Sequence, residues 1–363
     1  MIQAALYQTI YMIVVTILTV ISVNKYNQED DSVVVTSDSS DFSGYILAIA
    51  LSIFIGFRPI SGRYFVDMYN YFLEYYYLYF NVPFEFNNQL TNLFFDNLFM
   101  WLASEGIDIS VFFVIIATIY FVFSYFAISK LFPGHAFLAY IVFLGAFSTF
   151  SYATNGIKAG AAATFFLCAL AYWQNRLVSL LFLFLSFSFH HSMVLPIAAF
   201  IAAIFEKRSK YYFYFWGFAL LMALAHITFF QEIFAGLSDE GGANYLNNTA
   251  ENWGGKTGFR FDFVLYSSLP VYIGYITLFK YKLESKTYSF LLNVYLMANA
   301  IWMLCMYAAF TNRIAYLSWL MYPIVTIYPF LCPTFMPEQK KRLKQVVWFQ
   351  LLFTLFMNIV YYG

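Results

Sequence analysis

An arginine at the mouth of an apolar run is the first feature of this sequence with chemistry in it. The run Tyr45–Phe57 ends in Arg58, and Arg63 and Asp67 follow within IGFRPISGRYFVDMYNY, Ile55–Tyr71. A guanidinium fork matches phosphate oxygens two at a time. Two arginines beside one carboxylate therefore describe a site for an anionic ligand, with Asp67 as a base or an orienting partner. The plainer alternative is an internal Arg–Asp ion pair tying a surface helix to the span before it. Two arginines against one aspartate leave a positive charge over, which favours the ligand.

Further constellations repeat the theme. Asn155-Gly-Ile-Lys158 opens an apolar stretch and puts Lys158 on a first helical turn, where backbone N–H groups and the helix dipole favour an anion. A lysine snorkelling to the membrane interface is the alternative. Phe189-His190-His191-Ser192 closes another apolar run. Adjacent histidines lack the i,i+4 spacing of a helical metal pair, so no metal site is expected. Imidazole as a residue type titrates near neutral pH, which makes His190 or His191 a candidate base or phosphate ligand; a histidine bonded to backbone is the alternative. Gly258-Phe-Arg260-Phe-Asp262 opens a later run, with Arg260 and Asp262 either ligand-binding or a local ion pair. The GGKTG just before it is not a phosphate loop, because the residue five before Gly255 is Ala250. Thr311-Asn-Arg313 places one more arginine at the head of a long apolar run, with Tyr316 one turn on.

These residues need elements to carry them, and the composition says which. The chain has 363 residues, 62% hydrophobic and 10% charged, with mean hydropathy +0.68; a soluble domain has about 25% charged residues. Spans of about 20 apolar residues are what a bilayer requires. The fold class expected is an all-α polytopic membrane protein, one transmembrane domain over 1–363. About twelve transmembrane helices are read, at 4–22, 44–57, 108–130, 135–153, 156–174, 177–191, 192–205, 211–230, 262–280, 287–309, 312–332 and 345–361. Region 58–106 reads as amphipathic or re-entrant helices at the membrane surface, and 231–261 as a polar, glycine-rich loop. Residues 24–43 form an acidic, serine-rich loop. The first apolar run lacks a basic flank and a small-residue cleavage site, so it reads as a span rather than a leader. Cys168, Cys305 and Cys332 have no CxxC spacing and suggest neither disulfides nor zinc. Charge is balanced, 19 basic against 19 acidic residues, and no basic stripe supports nucleic acid as a partner.

The positive-inside rule orients the spans. With both termini outside, 13 of the 19 basic residues are cytoplasmic. The other six, Arg58, Arg63, Lys158, Lys256, Arg260 and Arg313, fall at or near outer span ends. Cations there oppose the rule, and function often explains them. The tyrosines of Tyr69–Tyr79 suit sugar faces, although an interfacial aromatic belt explains them equally.

Laid out in order, the motifs resemble the EpsG-like branch of Wzy-type polysaccharide polymerases. The resemblance runs through Phe57–Tyr71 (FRPxSGxYFxD…Y), Asn155–Lys158 (NGIK), Phe189–Ser192 (FHxS), Gly258–Ser267 (GxRxDFxxYS) and Asn312–Tyr316 (NRxAY). Lys158 stands where relatives commonly carry arginine, and Asp67 follows Gly62 at a longer spacing than is common in the family. The resemblance implies a GT-C-like glycosyltransferase in the bacterial inner membrane, termini periplasmic, making O-antigen, capsule or exopolysaccharide. It implies inverting transfer at the outer face, from a glycan on undecaprenyl pyrophosphate to a repeat unit on the same carrier. A chain-length-regulating co-polymerase and membrane lipids are the implied partners, and no cofactor is required. An O-antigen ligase and a lipid-linked glycan flippase are the competing classes. For this chemistry Arg58, Arg260 and Arg313 are expected to clamp the pyrophosphate, helped by Arg63, Lys158 and Asn155. His190 and Asp67 both stand as candidate bases, with His191 and Asp262 secondary. If the arginines stabilise the leaving group, no metal is required.

Overall fold

The computed structural model describes residues 2–28, 38–81, 83–235, 258–308 and 311–361. The described residues are helical throughout, joined by turns and short extended links. They form two compact units, Met1–His190 with Lys340–Gly363, and His191–Gln339. Residues 29–37 of the expected acidic loop and 236–257 of the glycine-rich loop, including Lys256, lie outside the described residues.

Each of the twelve expected stretches contains helix, but twelve full spans are not found among the described residues. Five helices are long and apolar enough to cross a membrane: Ala4–Tyr26, Ile109–Leu131, Phe261–Lys280, Lys286–Leu304 and Gln339–Tyr361. The pair Thr311–Trp319 and Tyr322–Leu331, bent by 42°, makes a sixth if it counts as one span. The remaining stretches are shorter or interrupted. The protein is thus a multi-pass membrane protein built from full-length and partial helices.

The first unit begins with α1 (Tyr7–Gln28) and α2 (Asp38–Gly56), followed by α3 (Val66–Asn81) and α4 (Leu93–Ser104). Region 58–106 therefore carries the helices α3 and α4. Next comes α5 (Ile109–Leu131), whose N-cap Asp108 accepts a hydrogen bond from Ser110 N at 2.8 Å. Hydrogen bonds from the Ser110 side chain and then its backbone hold the Asp108 carboxyl below its ordinary pKa. The stretch expected as one span at 135–153 is broken into α6 (Ala136–Leu144) and α7 (Thr149–Thr154). It is followed by α8 (Ile157–Ala171) and α9 (Arg176–Phe189).

A broken helix in an apolar medium must find new partners for its freed carbonyls. Here four polar side chains supply them. Gln350 Nε2 donates to Val142 O (2.7 Å), Thr149 Oγ1 to Phe143 O (2.7 Å), Tyr11 OH to Leu144 O (2.8 Å) and Thr354 Oγ1 to Gly145 O (2.9 Å). Two of the four come from the C-terminal helix, Gln339–Phe356, which explains why that helix belongs to the first unit. At the next break, Gly160 of α8 sits so close to α7 that a Cβ would lie 2.6 Å from the Tyr152 carbonyl oxygen. Only glycine permits that approach.

The second unit holds α10 (Val194–Phe205), α11 (Ser209–Leu224), α12 (Phe229–Ala235), α13 (Phe261–Tyr275), α14 (Lys286–Leu304), α15 (Thr311–Trp319) and α16 (Tyr322–Ile327). Its centre is a buried polar knot on α14. Asn299 Nδ2 donates to Ser267 Oγ (3.1 Å) and Ser318 Oγ (3.0 Å), and its Oδ1 accepts from Trp216 Nε1 (2.9 Å). Trp319 Nε1 also donates to Ser267 Oγ, at 2.8 Å. Three helices, α11, α13 and α15, are thereby fixed to one asparagine of α14, the kind of interhelical polar bonding that membrane bundles use in place of the hydrophobic effect. The C-terminal helix of the first unit, Gln339–Phe356, is α17.

Candidate functional site

Three of the five motif segments meet in the first unit. Arg58 lies just past α2 and is buried, 3% exposed. Its Nη1 donates to Ile55 O and its Nη2 to Thr154 O, both at 2.8 Å. Ile55 is in the last turn of α2 and Thr154 ends α7, so both acceptors are carbonyls that a helix end leaves without an intrahelical donor. The guanidinium carbon lies 5.4 Å from the Phe65 ring centre and 5.2 Å from that of Phe113. Nε has no hydrogen-bond partner, and no carboxylate pairs with Arg58 among the described residues. The alternative reading, an internal Arg58–Asp67 ion pair, is not met among the described residues. Arg63 is exposed over the Tyr64 ring (5.4 Å), and Asp67 is half-buried in the first turn of α3.

Thr154 leads directly into the second motif. Asn155 caps α7, Gly156 is the N-cap of α8, and Lys158 falls on the first turn of α8 as its spacing indicates. The Asn155 Oδ1 is buried without a hydrogen-bond partner. Lys158 Nζ bonds Asp96 Oδ1 at 2.8 Å and lies 4.8 Å over the Phe95 ring. The same ring packs against Tyr71 of α3 (5.8 Å) and Phe189 (6.2 Å), where the third motif begins. His190 follows as the extended C-cap of α9. Thus α4 is the hub on which the Phe57–Tyr71, Asn155–Lys158 and Phe189–His190 segments close.

Sequence reasoning missed that hub. Asp96 and Glu74 belong to none of the motifs, yet Asp96 partners Lys158 and Glu74 feels both. Desolvation raises the Glu74 carboxyl pKa, Lys158 lowers it, and Asp96 raises it again. The available signal was Asp96 itself, one carboxylate inside the apolar helix LFFDNLFMWLA. A charge in such a setting needs a partner.

In the second unit, Arg260 is the N-cap residue of α13 and is 7% exposed. It grips Asp262 bidentately, Nε to Oδ1 at 2.9 Å and Nη2 to Oδ2 at 2.7 Å, with its guanidinium 3.5 Å from the Phe263 ring centre. The local ion pair is the arrangement observed. Arg313 is exposed on α15. The segments Gly258–Ser267 and Asn312–Tyr316 are held together around the polar knot: Trp302 Nε1 donates to Thr311 Oγ1 (3.0 Å), and Phe263 packs edge-on to Trp319 (4.8 Å). His191 opens the short 3-10 turn before α10. Among the described residues no group of three or more His, Cys, Asp or Glu is placed to hold a metal ion. A shallow depression on the α3–α4 loop, lined by Glu85, Asn87 and Gln89, contains none of the predicted residues.

A family model for the EpsG family matches residues 41–363, a range that includes all five motif segments. The chain belongs to the EpsG family. These are Wzy-like polysaccharide polymerases. No curated protein and no solved structure matches the chain. Within this EpsG-family chain the first unit carries Arg58, Arg63, Asp67, Asn155, Lys158 and His190, and the second carries His191, Arg260, Asp262 and Arg313.

Proposed function

We propose that this protein polymerises undecaprenyl-pyrophosphate-linked oligosaccharide repeat units by inverting glycosyl transfer at the outer face of the bacterial inner membrane. Family membership supports polysaccharide polymerisation. The observation that carries the finer reading is the junction of the first two motifs: Arg58 bonds Thr154 O, four residues before a lysine on the first turn of a fifteen-residue helix. In the reaction the sugar–phosphate bond breaks as the acceptor hydroxyl attacks, and the departing pyrophosphate gains negative charge. Lys158, the first-turn N–H groups of α8 and the exposed Arg63 are suited to that charge. The lipid pyrophosphate is the leaving group, so no sugar nucleotide or other cofactor enters, and this reading routes no step through a metal. His190 and Asp67 are the two candidate bases for the acceptor hydroxyl. Arg313 is a second exposed cation suited to a lipid phosphate. A GT-C-like architecture, periplasmic termini and a separate co-polymerase that sets chain length belong to the same reading.

The experiment is reconstitution. Purified protein in lipid nanodiscs receives a synthetic lipid-pyrophosphate repeat unit without nucleotide sugar, and the products are sized. A ladder is expected. Lys158→Met should lower the rate of chain growth by about 10²–10³-fold, the loss typical of one transition-state charge donor. Activity retained in His190→Ala but lost in Asp67→Ala selects Asp67 as base, and the reverse selects His190. A single transfer without further growth points to a ligase; no product at all from a matched repeat unit overturns the polymerase reading.

A further inference from the structure

Resting on the polymerase reading, we infer that Arg58 is a positioning residue that sets the α7–α8 turn and through it Lys158, and that it does not touch the pyrophosphate. Its sequence position suggests a phosphate ligand; its surroundings give it other work. The planar group lies against two aromatic rings, Phe65 and Phe113, and each terminal nitrogen already donates to a main-chain carbonyl at 2.8 Å. At 3% exposure the Nε–H and the second hydrogen on each terminal nitrogen are closed to a bulky anion. A phosphate could take these donors only by displacing a helix end or a phenylalanine ring.

The acceptors also explain why the charge is tolerated without a carboxylate. Ile55 O and Thr154 O are the negative ends of two helices, where a cation is favoured. The bond to Thr154 O pins the last residue of α7. From there the chain turns through Asn155 and Gly156 into α8, and the close contact of Gly160 with the Tyr152 carbonyl fixes the opposite side of the same turn. Lys158 lies between these two anchors, and its ion pair with Asp96 at 2.8 Å depends on where the turn places it. A displacement of about 1 Å at such a group can cost about 10²-fold in rate.

Two measurements on the full-length protein test this. Wild-type protein in nanodiscs is treated with phenylglyoxal, which modifies accessible guanidinium groups, and mapped by mass spectrometry with and without inorganic pyrophosphate. Arg63 should be modified, and Arg58 should stay unmodified in both conditions. Modification of Arg58 at a rate similar to Arg63, with protection by pyrophosphate, overturns the inference. That readout needs no polymerase activity, so it stands even if the functional reading fails. Second, Arg58→Lys keeps the charge but cannot span both carbonyls. Its kcat should fall about 10- to 100-fold, while KM for the lipid donor stays within about twofold. In a Lys158→Met background the same change should add no further loss. A raised KM at unchanged kcat, or losses that multiply, returns Arg58 to the substrate. If Arg58→Lys does not assemble, the labelling of wild-type protein decides.

Discussion

Arg58 and Arg260 are both buried arginines in predicted motif segments, one in each unit, and their charges are balanced in opposite ways. Arg260 meets a carboxylate two residues along its own chain and is neutralised by a bidentate grip. Arg58 meets no carboxylate among the described residues and instead spends its donors on two helix-end carbonyls, one of them 96 residues away. The comparison shows that a surplus of basic residues in a sequence is not a surplus of available charge. Of the predicted cations, Arg63 and Arg313 are exposed, Lys158 is paired but partly open, and Arg58 and Arg260 are enclosed.

The largest effect should come from breaking the Arg260 pair. Asp262→Asn leaves a buried guanidinium facing an amide, and removing one partner of a buried pair costs about 3 kcal/mol or more. Thermal unfolding of the detergent-solubilised protein should show a clearly lowered Tm. The double change Arg260→Met with Asp262→Leu removes both charges and should restore most of it. If Asp262→Asn unfolds at the wild-type temperature, carbonyls or other groups compensate Arg260 as they do Arg58, and the contrast between the two arginines fails.

The same contrast explains what could be read from the sequence. The apolar runs mark nearly every helix, because burial in lipid acts on local composition. The Arg260–Asp262 pair is visible at a spacing of two residues. The helix break at 145–148 is not, because two of the four groups that stabilise it, Gln350 and Thr354, lie more than 200 residues further on. Lys158 and Asp96 are 62 residues apart, so the lysine looks like a free cation on a helix N-terminus until α4 is placed against it. What the sequence conceals is pairing over long separations, and pairing decides which charge remains for a ligand.

Around Lys158 that pairing gives a smaller, pH-dependent effect. Desolvation raises the Glu74 carboxyl above its ordinary pKa. A raised folded-state pKa means the folded protein binds the proton more tightly, so its contribution to stability is fully present below the ordinary glutamate range and is lost as pH rises through the shifted value. Glu74→Gln should therefore unfold with the wild type at pH 4 and gain on it as pH rises past that range. Because α3 leaves Glu74 exposed, the gap should reach only about 1–2 °C. Asp96 also raises the Glu74 pKa, so Asp96→Asn should narrow the gap. A gap that is the same at every pH would show that Glu74 does not titrate against this cluster.

The smallest effect is expected where the bidentate geometry of Arg260–Asp262 recurs in water. Between α10 and α11, Arg208 Nε bonds Glu206 Oε1 at 2.8 Å and Nη2 bonds Oε2 at 2.6 Å. These hydrogen bonds pull the Glu206 pKa down to about 2. A lowered folded-state pKa gives stability that is present above the ordinary glutamate range and lost as pH falls toward the shifted value. Both side chains are open to solvent, however, so salt screens the attraction and the ordering of two long side chains offsets it. Glu206→Gln should leave Tm at pH 7 in 0.15 M salt unchanged within error, with any difference confined to low ionic strength. A drop as large as that of Asp262→Asn would mean that bidentate geometry, rather than burial, determines what these pairs are worth, and the distinction between the enclosed and exposed cations of this protein would have to be redrawn.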